Sequence, residues 1–149
     1  MPEAGDLAPD FTALTEDGEP FTLSSLRGKP VALYFFPKAN TTGCTMETRA
    51  FADHYTELQA AGWSVVGVSV DSVKTQKQFA EKCHAAFHLV ADTDKTIAKA
   101  YDVLGFLGFA RRVTFLIGAD GRVQETISAM VPGTHVERTL LRAHAAPAK

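Results

Sequence analysis

Two cysteines, Cys44 and Cys83, are the only thiols in the 149-residue chain. That is too few for a disulfide scaffold, and a globular chain of this length hides roughly 70% of the surface it would expose unfolded, so its core needs no covalent staple. Both sulfurs are therefore free for chemistry. Charge of one sign is also lacking: fifteen Lys and Arg against seventeen Asp and Glu leave a net charge of −2, and the only adjacent arginines are Arg111 and Arg112. Without a basic stripe to follow a phosphate backbone, nucleic acid is not an expected partner. The longest apolar run is the six residues Val31 to Phe36, far short of a membrane span, and the start Met1-Pro2-Glu3-Ala4-Gly5-Asp6 is acidic with no apolar leader core. The expectation is a soluble, cytoplasmic protein. Internal repeats and low-complexity blocks are missing, and only the tail from Ala143 to Lys149 reads as linker, so one domain over residues 1–149 is expected.

What is present alternates strand-like and helical segments. Phe11 to Thr15 and Phe21 to Leu23, joined by a turn at Asp17-Gly18, predict an N-terminal β-hairpin, followed by a short helical turn from Ser24 to Arg27 that Gly28 closes. Val31 to Phe36 and Trp63 to Val70 are apolar on both faces, as central strands under helices are. Between them Ala50, Phe51, Tyr55 and Leu58 recur at helical spacing, and Gly62 stands where a left-handed C-terminal residue belongs. This predicts a helix from about Cys44 to Ala61 and a βαβ unit. Asp71 can cap a second helix from Ser72 to about Cys83, Phe87 to Val90 is a short strand, and Asp94 or Thr93 starts a third helix through Tyr101. Arg112 to Ile117 and Arg122 to Ser128 flank Asp120-Gly121, a hairpin signal that makes the last two strands antiparallel. A final helix from Thr134 to about Ala143, with Val136, Leu140 and Leu141 inward, completes a central mixed β-sheet flanked by helices. That is an α/β, thioredoxin-like fold.

In open α/β sheets, chemistry gathers beyond the carboxyl ends of the parallel strands. The loop from Pro37 to Cys44 leaves a buried strand there and delivers the Cys44 sulfur into the first turn of the next helix, where unpaired N–H groups and the positive dipole end favour a thiolate. Gly43 lets the backbone approach closely, and the Thr41 hydroxyl can donate to the sulfur or to a bound oxygen. The competing reading is a small buried hydrophobe, the habit of most free cysteines.

Pro37-x-x-x-Thr41-x-x-Cys44 matches the Pro-x-x-x-Thr-x-x-Cys signature of peroxiredoxins, and the wider run from Tyr34 to Glu47 resembles their peroxiredoxin Q, or bacterioferritin comigratory protein, branch. Gly5-x-x-Ala8-Pro9-Asp10-Phe11, Val66 to Asp71 and Arg112-x-Thr114-Phe115-Leu116-Ile117 extend the resemblance over almost the whole chain. Two positions depart from it: Thr42 stands where the branch commonly has proline, and Arg49 stands five residues after Cys44, where many members carry a second cysteine. The resemblance implies a thioredoxin-dependent thiol peroxidase that reduces hydrogen peroxide and organic hydroperoxides with no metal, haem or flavin. A monomer is expected rather than a dimer.

The implied chemistry can be set against the residues. A thiolate attacks one oxygen of the O–O bond, leaving a sulfenic acid and releasing water or an alcohol. An ordinary thiol is only about 3% ionised at pH 7, so full ionisation gains no more than about 30-fold. The rest must come from donors that hold the peroxide in line and take up charge on the departing oxygen. Thr41, the backbone N–H groups of Gly43 and Cys44, and one arginine form such a set, while Pro37 shields the sulfur from water. Arg112 is the arginine of choice, because it opens the strand matching the family's Arg-x-Thr-Phe and a guanidinium can bridge thiolate and peroxide oxygen. Arg112 begins its strand and Cys44 follows the end of another, so they meet only if those strands run antiparallel. The alternative is a solvated Arg112, like Arg111.

Cys83, 39 residues after Cys44, forms neither a Cys-x-x-Cys motif nor a metal knuckle with it. With Phe79 and Ala80 a turn earlier, it is either a core residue of the second helix or, as the resemblance implies, the resolving thiol that condenses with the sulfenic acid into an intramolecular disulfide for thioredoxin or a similar dithiol to reduce. A disulfide needs Cα atoms within about 7 Å, so a terminal turn must open. His54, His84, His88, His135 and His144 lack ligand spacing and read as surface or packing residues. Leu104 to Phe109 is an apolar loop that either fills core or forms a rim for organic hydroperoxides, thioredoxin or a second subunit. Glu47 favours the helix dipole or pairs with a nearby base and is assigned no catalytic role. A disulfide reductase is disfavoured because positions 41 and 47 hold no cysteine. A one-cysteine peroxidase using an external thiol, and a non-enzymatic redox sensor or chaperone, stay open.

Overall fold

The computed structural model describes residues 1–145, so the end of the linker-like tail, residues 146–149, lies outside the described residues. Its central strand is β3 (Val31–Phe35). The pleat sends Val31, Leu33 and Phe35 to one face and Ala32, Tyr34 and, just beyond, Phe36 to the other, and all six are buried. On one side β3 pairs in parallel with β4 (Ser64–Ser69), which pairs in parallel with β5 (His88–Ala91). On the other it pairs antiparallel with β6 (Val113–Ile117), and β6 with β7 (Val123–Ser128). The order β5-β4-β3-β6-β7 is the mixed sheet expected from the sequence.

Each face of that sheet is covered because each is apolar. Helices α1 (Thr42–Asp53), α2 (Tyr55–Ala60), α3 (Val73–Cys83) and α5 (Pro132–Ala143) pack Phe51, Leu58, Phe79 and Val136 into one cluster with Tyr34, Phe36, Leu89 and Leu116. The opposite cluster joins Ile97 of α4 (Thr96–Ala100) and Tyr101 to Leu33, Phe35 and Phe115. Phe21 and Leu23 enter it from the N-terminal hairpin, β1 (Thr12–Leu14) and β2 (Pro20–Thr22), and the 3-10 turn Leu23–Leu26 that follows.

Several local expectations are corrected by interactions between distant residues. The helix expected from Cys44 to Ala61 is two helices: α1 begins at Thr42, His54 leaves helical geometry at φ −102 and ψ 6, and α2 restarts with the Leu58 N–H on the His54 carbonyl at 2.9 Å. The break aims buried Leu58 at Trp63, whose N–H returns to the Leu58 carbonyl at 2.9 Å, and Gly62 takes the left-handed φ of 86 expected of it. Asp71 does not cap α3. Its carboxylate is already engaged by the Ala39 N–H at 2.8 Å and the Ser69 hydroxyl at 2.7 Å, and Ser72 caps instead, accepting from the Thr75 N–H at 3.2 Å. Asp94 does help to start α4, taking the Thr96 N–H at 3.1 Å, but it shares the task with a residue the sequence did not offer, the buried Asp92, whose carboxylate takes the Ile97 and Ala98 N–H groups at 3.0 and 2.8 Å. Leu141 does not point inward; it is 63% exposed, and the inward places of α5 go to His135, Val136 and Thr139. The polar pair can be buried because each finds a partner, Thr139 donating to the His135 carbonyl at 2.7 Å.

Candidate active site

The antiparallel β3–β6 ladder pairs Phe35 with Val113, so Arg112, one residue before β6, stands where β3 ends and the Pro37-to-Cys44 loop begins. From there its guanidinium reaches both ends of the first turns of α1: Nη2 donates to Cys44 Sγ at 3.5 Å and Nη1 to Glu47 Oε1 at 2.7 Å. Arg112 is 14% exposed while Cys44 and Glu47 are buried, which rules out the solvated reading. Arg111 stays on the surface, with Nη2 on the Asp102 carbonyl at 2.8 Å.

Gly43 supplies the room for this approach. A Cβ there would stand 2.8 Å from Arg112 Nη2 and 3.8 Å from Pro132 Cγ. Because the obstructing atom is the far end of a flexible side chain, Gly43→Ala should fold and shift the guanidinium rather than the backbone. Misplacing a catalytic group by as little as 1 Å can cost on the order of 100-fold. We expect Gly43→Ala to lower the second-order rate with hydrogen peroxide by about tenfold or more at unchanged melting temperature; an unaltered rate would show that this close approach does not matter.

The other residues of the loop are placed less directly. Thr41 is exposed at the position before α1, and its hydroxyl donates to the Lys38 carbonyl at 2.7 Å, so in this state it shapes the loop and does not donate to sulfur. Pro37, half-buried, turns the chain out of the sheet, and Asn40 carries it on through a left-handed φ of 68. The Ala39 N–H fixes the loop to Asp71, a tie between segments 32 residues apart that no local pattern announces.

Glu47 proves central. Burial raises its carboxyl, and although the 2.7 Å approach of Arg112 opposes this, the group still ends pushed up to about 8. Its Oε2 has no hydrogen-bond partner and faces His135 Nδ1 at 3.7 Å. His135 is buried and held neutral by desolvation. Because its Nε2 meets the Ala129 carbonyl at 2.7 Å, that nitrogen carries the proton, and Nδ1 accepts from the Thr114 hydroxyl at 2.7 Å. Cys44, Arg112, Glu47 and His135 thus form one row from the mouth of the site to the underside of α5. Of the two roles open to Glu47, the helix dipole or a nearby base, the structure shows the second, with Arg112, and adds a burial that the sequence did not suggest; its place three residues from Cys44, on the same face of α1, is the signal that pointed inward.

Cys83 closes α3, buried and unbonded. Burial pushes its thiol up, and the nearby Arg49 guanidinium opposes this. The Leu104-to-Phe109 loop fills core only at its start, where Leu104 packs against the cluster; Phe106 is 97% exposed, and Phe109 lies under Lys38 Nζ at 5.6 Å, beside the Cys44 loop. Among the described residues no cluster of three His, Cys, Asp or Glu is placed to hold a metal ion, and no helix is long and apolar enough to cross a membrane. The arrangement offers a sulfur nucleophile at a helix N-terminus beside a guanidinium fixed by a buried carboxyl.

A model of the AhpC/TSA family matches residues 4–126. Peroxiredoxin Bcp of Escherichia coli is 36% identical over 152 residues, covering 96% of this chain and 97% of that one. The crystal structure of peroxidoxin BcpB from Mycobacterium tuberculosis superposes with a TM-score of 0.92 at 34% identity, over 99% of this chain and 100% of that one. The bacterioferritin comigratory protein of Xanthomonas campestris, studied for its alkyl peroxide reduction activity, superposes with a TM-score of 0.84 at 31% identity, over 91% and 90% of the two chains.

Proposed function

The chain belongs to the AhpC/TSA family, in its Bcp or peroxiredoxin Q branch, and is a thiol-dependent peroxidase; on that premise we propose that Cys44 is the sulfur that reduces the peroxide and Arg112 the group that holds it. The observation that carries this reading is the forked contact of Arg112 with Cys44 Sγ and Glu47 Oε1. As a thiolate, Cys44 attacks the nearer peroxide oxygen. An S–O bond forms, the O–O bond breaks, and the departing oxygen leaves as hydroxide or alkoxide and takes a proton from water. Arg112 aligns the peroxide through hydrogen bonds and stabilises the charge moving onto the leaving oxygen, with the Gly43 and Cys44 N–H groups at the start of α1 as further donors. Thr41 joins them once its hydroxyl turns from the Lys38 carbonyl, and Pro37 keeps water from the sulfur.

Hydrogen peroxide and organic hydroperoxides are the substrates, the latter supported by the alkyl peroxide reduction of the Xanthomonas campestris relative. Cys83 resolves: its thiolate attacks the Cys44 sulfenic sulfur, the S–O bond breaks and water leaves, giving a disulfide within one chain. The last turn of α3 is the element that opens. It ends in His84 at a left-handed φ of 57, a conformation that costs a non-glycine residue about 1 kcal/mol, and terminal turns are the cheapest parts of a fold to release. Thioredoxin or a similar dithiol then reduces the disulfide, and the protein works as a single-domain monomer in the cytoplasm without metal, haem or flavin.

Thiol titration tests the assignment of Cys83. One equivalent of peroxide should take the two free thiols of wild type to none, with a Cys44–Cys83 peptide in the mass spectrum. Cys83→Ser should leave the first oxidation almost unchanged, slow recycling by thioredoxin about tenfold or more, and expose Cys44 to sulfinic acid formation, since nothing nearby captures the sulfenic acid. A Cys83 that stays titratable, or a disulfide that joins two chains through Cys44, would mean a one-cysteine peroxidase that takes its second thiol from outside.

A further inference from the structure

The two thiols sit at opposite poles of their helices. Cys44 is in the first turn of α1, where the dipole and the free N–H groups favour negative charge, whereas Cys83 is the last residue of α3, where the negative dipole end opposes it. Burial opposes it further. A resolving thiol must nevertheless ionise to attack. The positively charged groups facing Cys83 are Arg49, from α1, and its own neighbour Lys82; from β3 the Tyr34 hydroxyl is held neutral by burial. Lys82 directs its ammonium outward to Asn40 Oδ1 at 3.5 Å. Arg49, on the second turn of α1, instead directs Nη2 to the Lys82 carbonyl, one of the last carbonyls of α3, at 3.5 Å. One guanidinium is therefore held at the carbonyl end of α3, on the residue before Cys83, where its charge favours the thiolate.

We propose that Arg49 is a positioning residue for the resolution step: bound at the C-terminal end of α3, it holds a positive charge beside Cys83 so that this sulfur attacks as a thiolate. The proposal rests on Cys83 being the resolving thiol. In the step itself Cys83 gives up its proton, its sulfur bonds to the Cys44 sulfur, the Cys44 S–O bond breaks, and the hydroxide that leaves is protonated to water; the oxidant is the sulfenic acid already made by the peroxide. Arg49 is exposed, so its charge acts through partly screened space, and its effect on the thiolate population is modest, about tenfold. A purely structural tether would behave in the opposite way, because removing it would loosen the last turn of α3 and leave disulfide formation unchanged or faster.

The test is single-turnover oxidation of wild type, Arg49→Met, Arg49→Lys and Cys83→Ser with one equivalent of hydrogen peroxide. Quenching by alkylation at set times, across a pH series, separates sulfenic acid formation from disulfide formation by mass. For Arg49→Met we expect disulfide formation about tenfold slower at pH 7, with its pH profile moved to higher pH so that the deficit closes in alkali, while the preceding oxidation keeps its rate. Arg49→Lys should restore most of the neutral-pH rate. An Arg49→Met profile that does not move, or disulfide formation as fast as or faster than wild type, overturns the proposal while Cys83 stays the resolving thiol. If wild type forms no Cys44–Cys83 disulfide at any pH, matching Cys83→Ser, the assignment of Cys83 falls and this proposal falls with it.

Discussion

Replacing Cys44 by serine should abolish peroxidase turnover and leave the fold in place. A serine hydroxyl is a far weaker acid than a thiol, so it supplies almost no anion at neutral pH, and oxygen cannot follow sulfur up the oxidation ladder through a sulfenic acid. Neither the helix N-terminus nor Arg112 can compensate for a nucleophile that lacks the redox chemistry. Stability should change little, because the hydroxyl inherits the Arg112 Nη2 contact now made by sulfur and so is not buried unsatisfied. Circular dichroism and thermal melting check the fold, and peroxide consumption with a recycling dithiol checks activity. Residual turnover above about a tenth of wild type would place the reactive sulfur elsewhere.

Arg112→Ala carries the second large effect. The guanidinium is a charge-assisted donor in a largely buried site, worth about 2 to 4 kcal/mol to a transition state in which charge moves onto the leaving oxygen, so peroxide reactivity should fall on the order of 30- to 1,000-fold. The substitution also strips Glu47 of its one strong partner. With Oε2 already unpaired, a buried carboxylate would be left without compensation, and Glu47 should then hold its proton across the neutral range, its carboxyl raised further. Stopped-flow oxidation of Cys44 measures the rate. An Arg112→Ala enzyme within about threefold of wild type would show that another group orients the peroxide.

The sheet and the site loop were legible in the sequence for a shared physical reason. Val31 to Phe36 and Trp63 to Val70 are apolar on both faces, which only a strand covered on both sides tolerates, and a loop leaving such a strand toward a helix carries Cys44 to the carboxyl edge of the sheet. The pairing of Cys44 with Arg112 followed once the antiparallel β3–β6 pair made it possible. What escaped were polar residues whose partners are far away in sequence. Asp71 reads as a helix cap by position, yet its carboxylate is taken by the Ala39 N–H, and α4 draws on buried Asp92 as well as on Asp94, the acidic residue nearest its start. His135 and Thr139 displaced Leu141 from the inner face of α5, because hydropathy alone does not see that Thr114 and the Ala129 carbonyl are waiting to satisfy the imidazole. Glu47 was hidden in the same way, a charged residue on α1 that can be buried because an arginine 65 residues away, just before β6, reaches it.

The central claim is that Cys44 takes the oxygen from the peroxide. Trapping the sulfenic acid tests it most directly: Cys83→Ser protein is treated with one equivalent of hydrogen peroxide in the presence of a cyclic 1,3-diketone, which captures sulfenic acids, and the adduct is located by peptide mass spectrometry. The account predicts a single adduct, at Cys44, in near-stoichiometric yield, and with Arg112→Ala added, the same adduct formed much more slowly. Peroxide consumed with no adduct at Cys44 would contradict it.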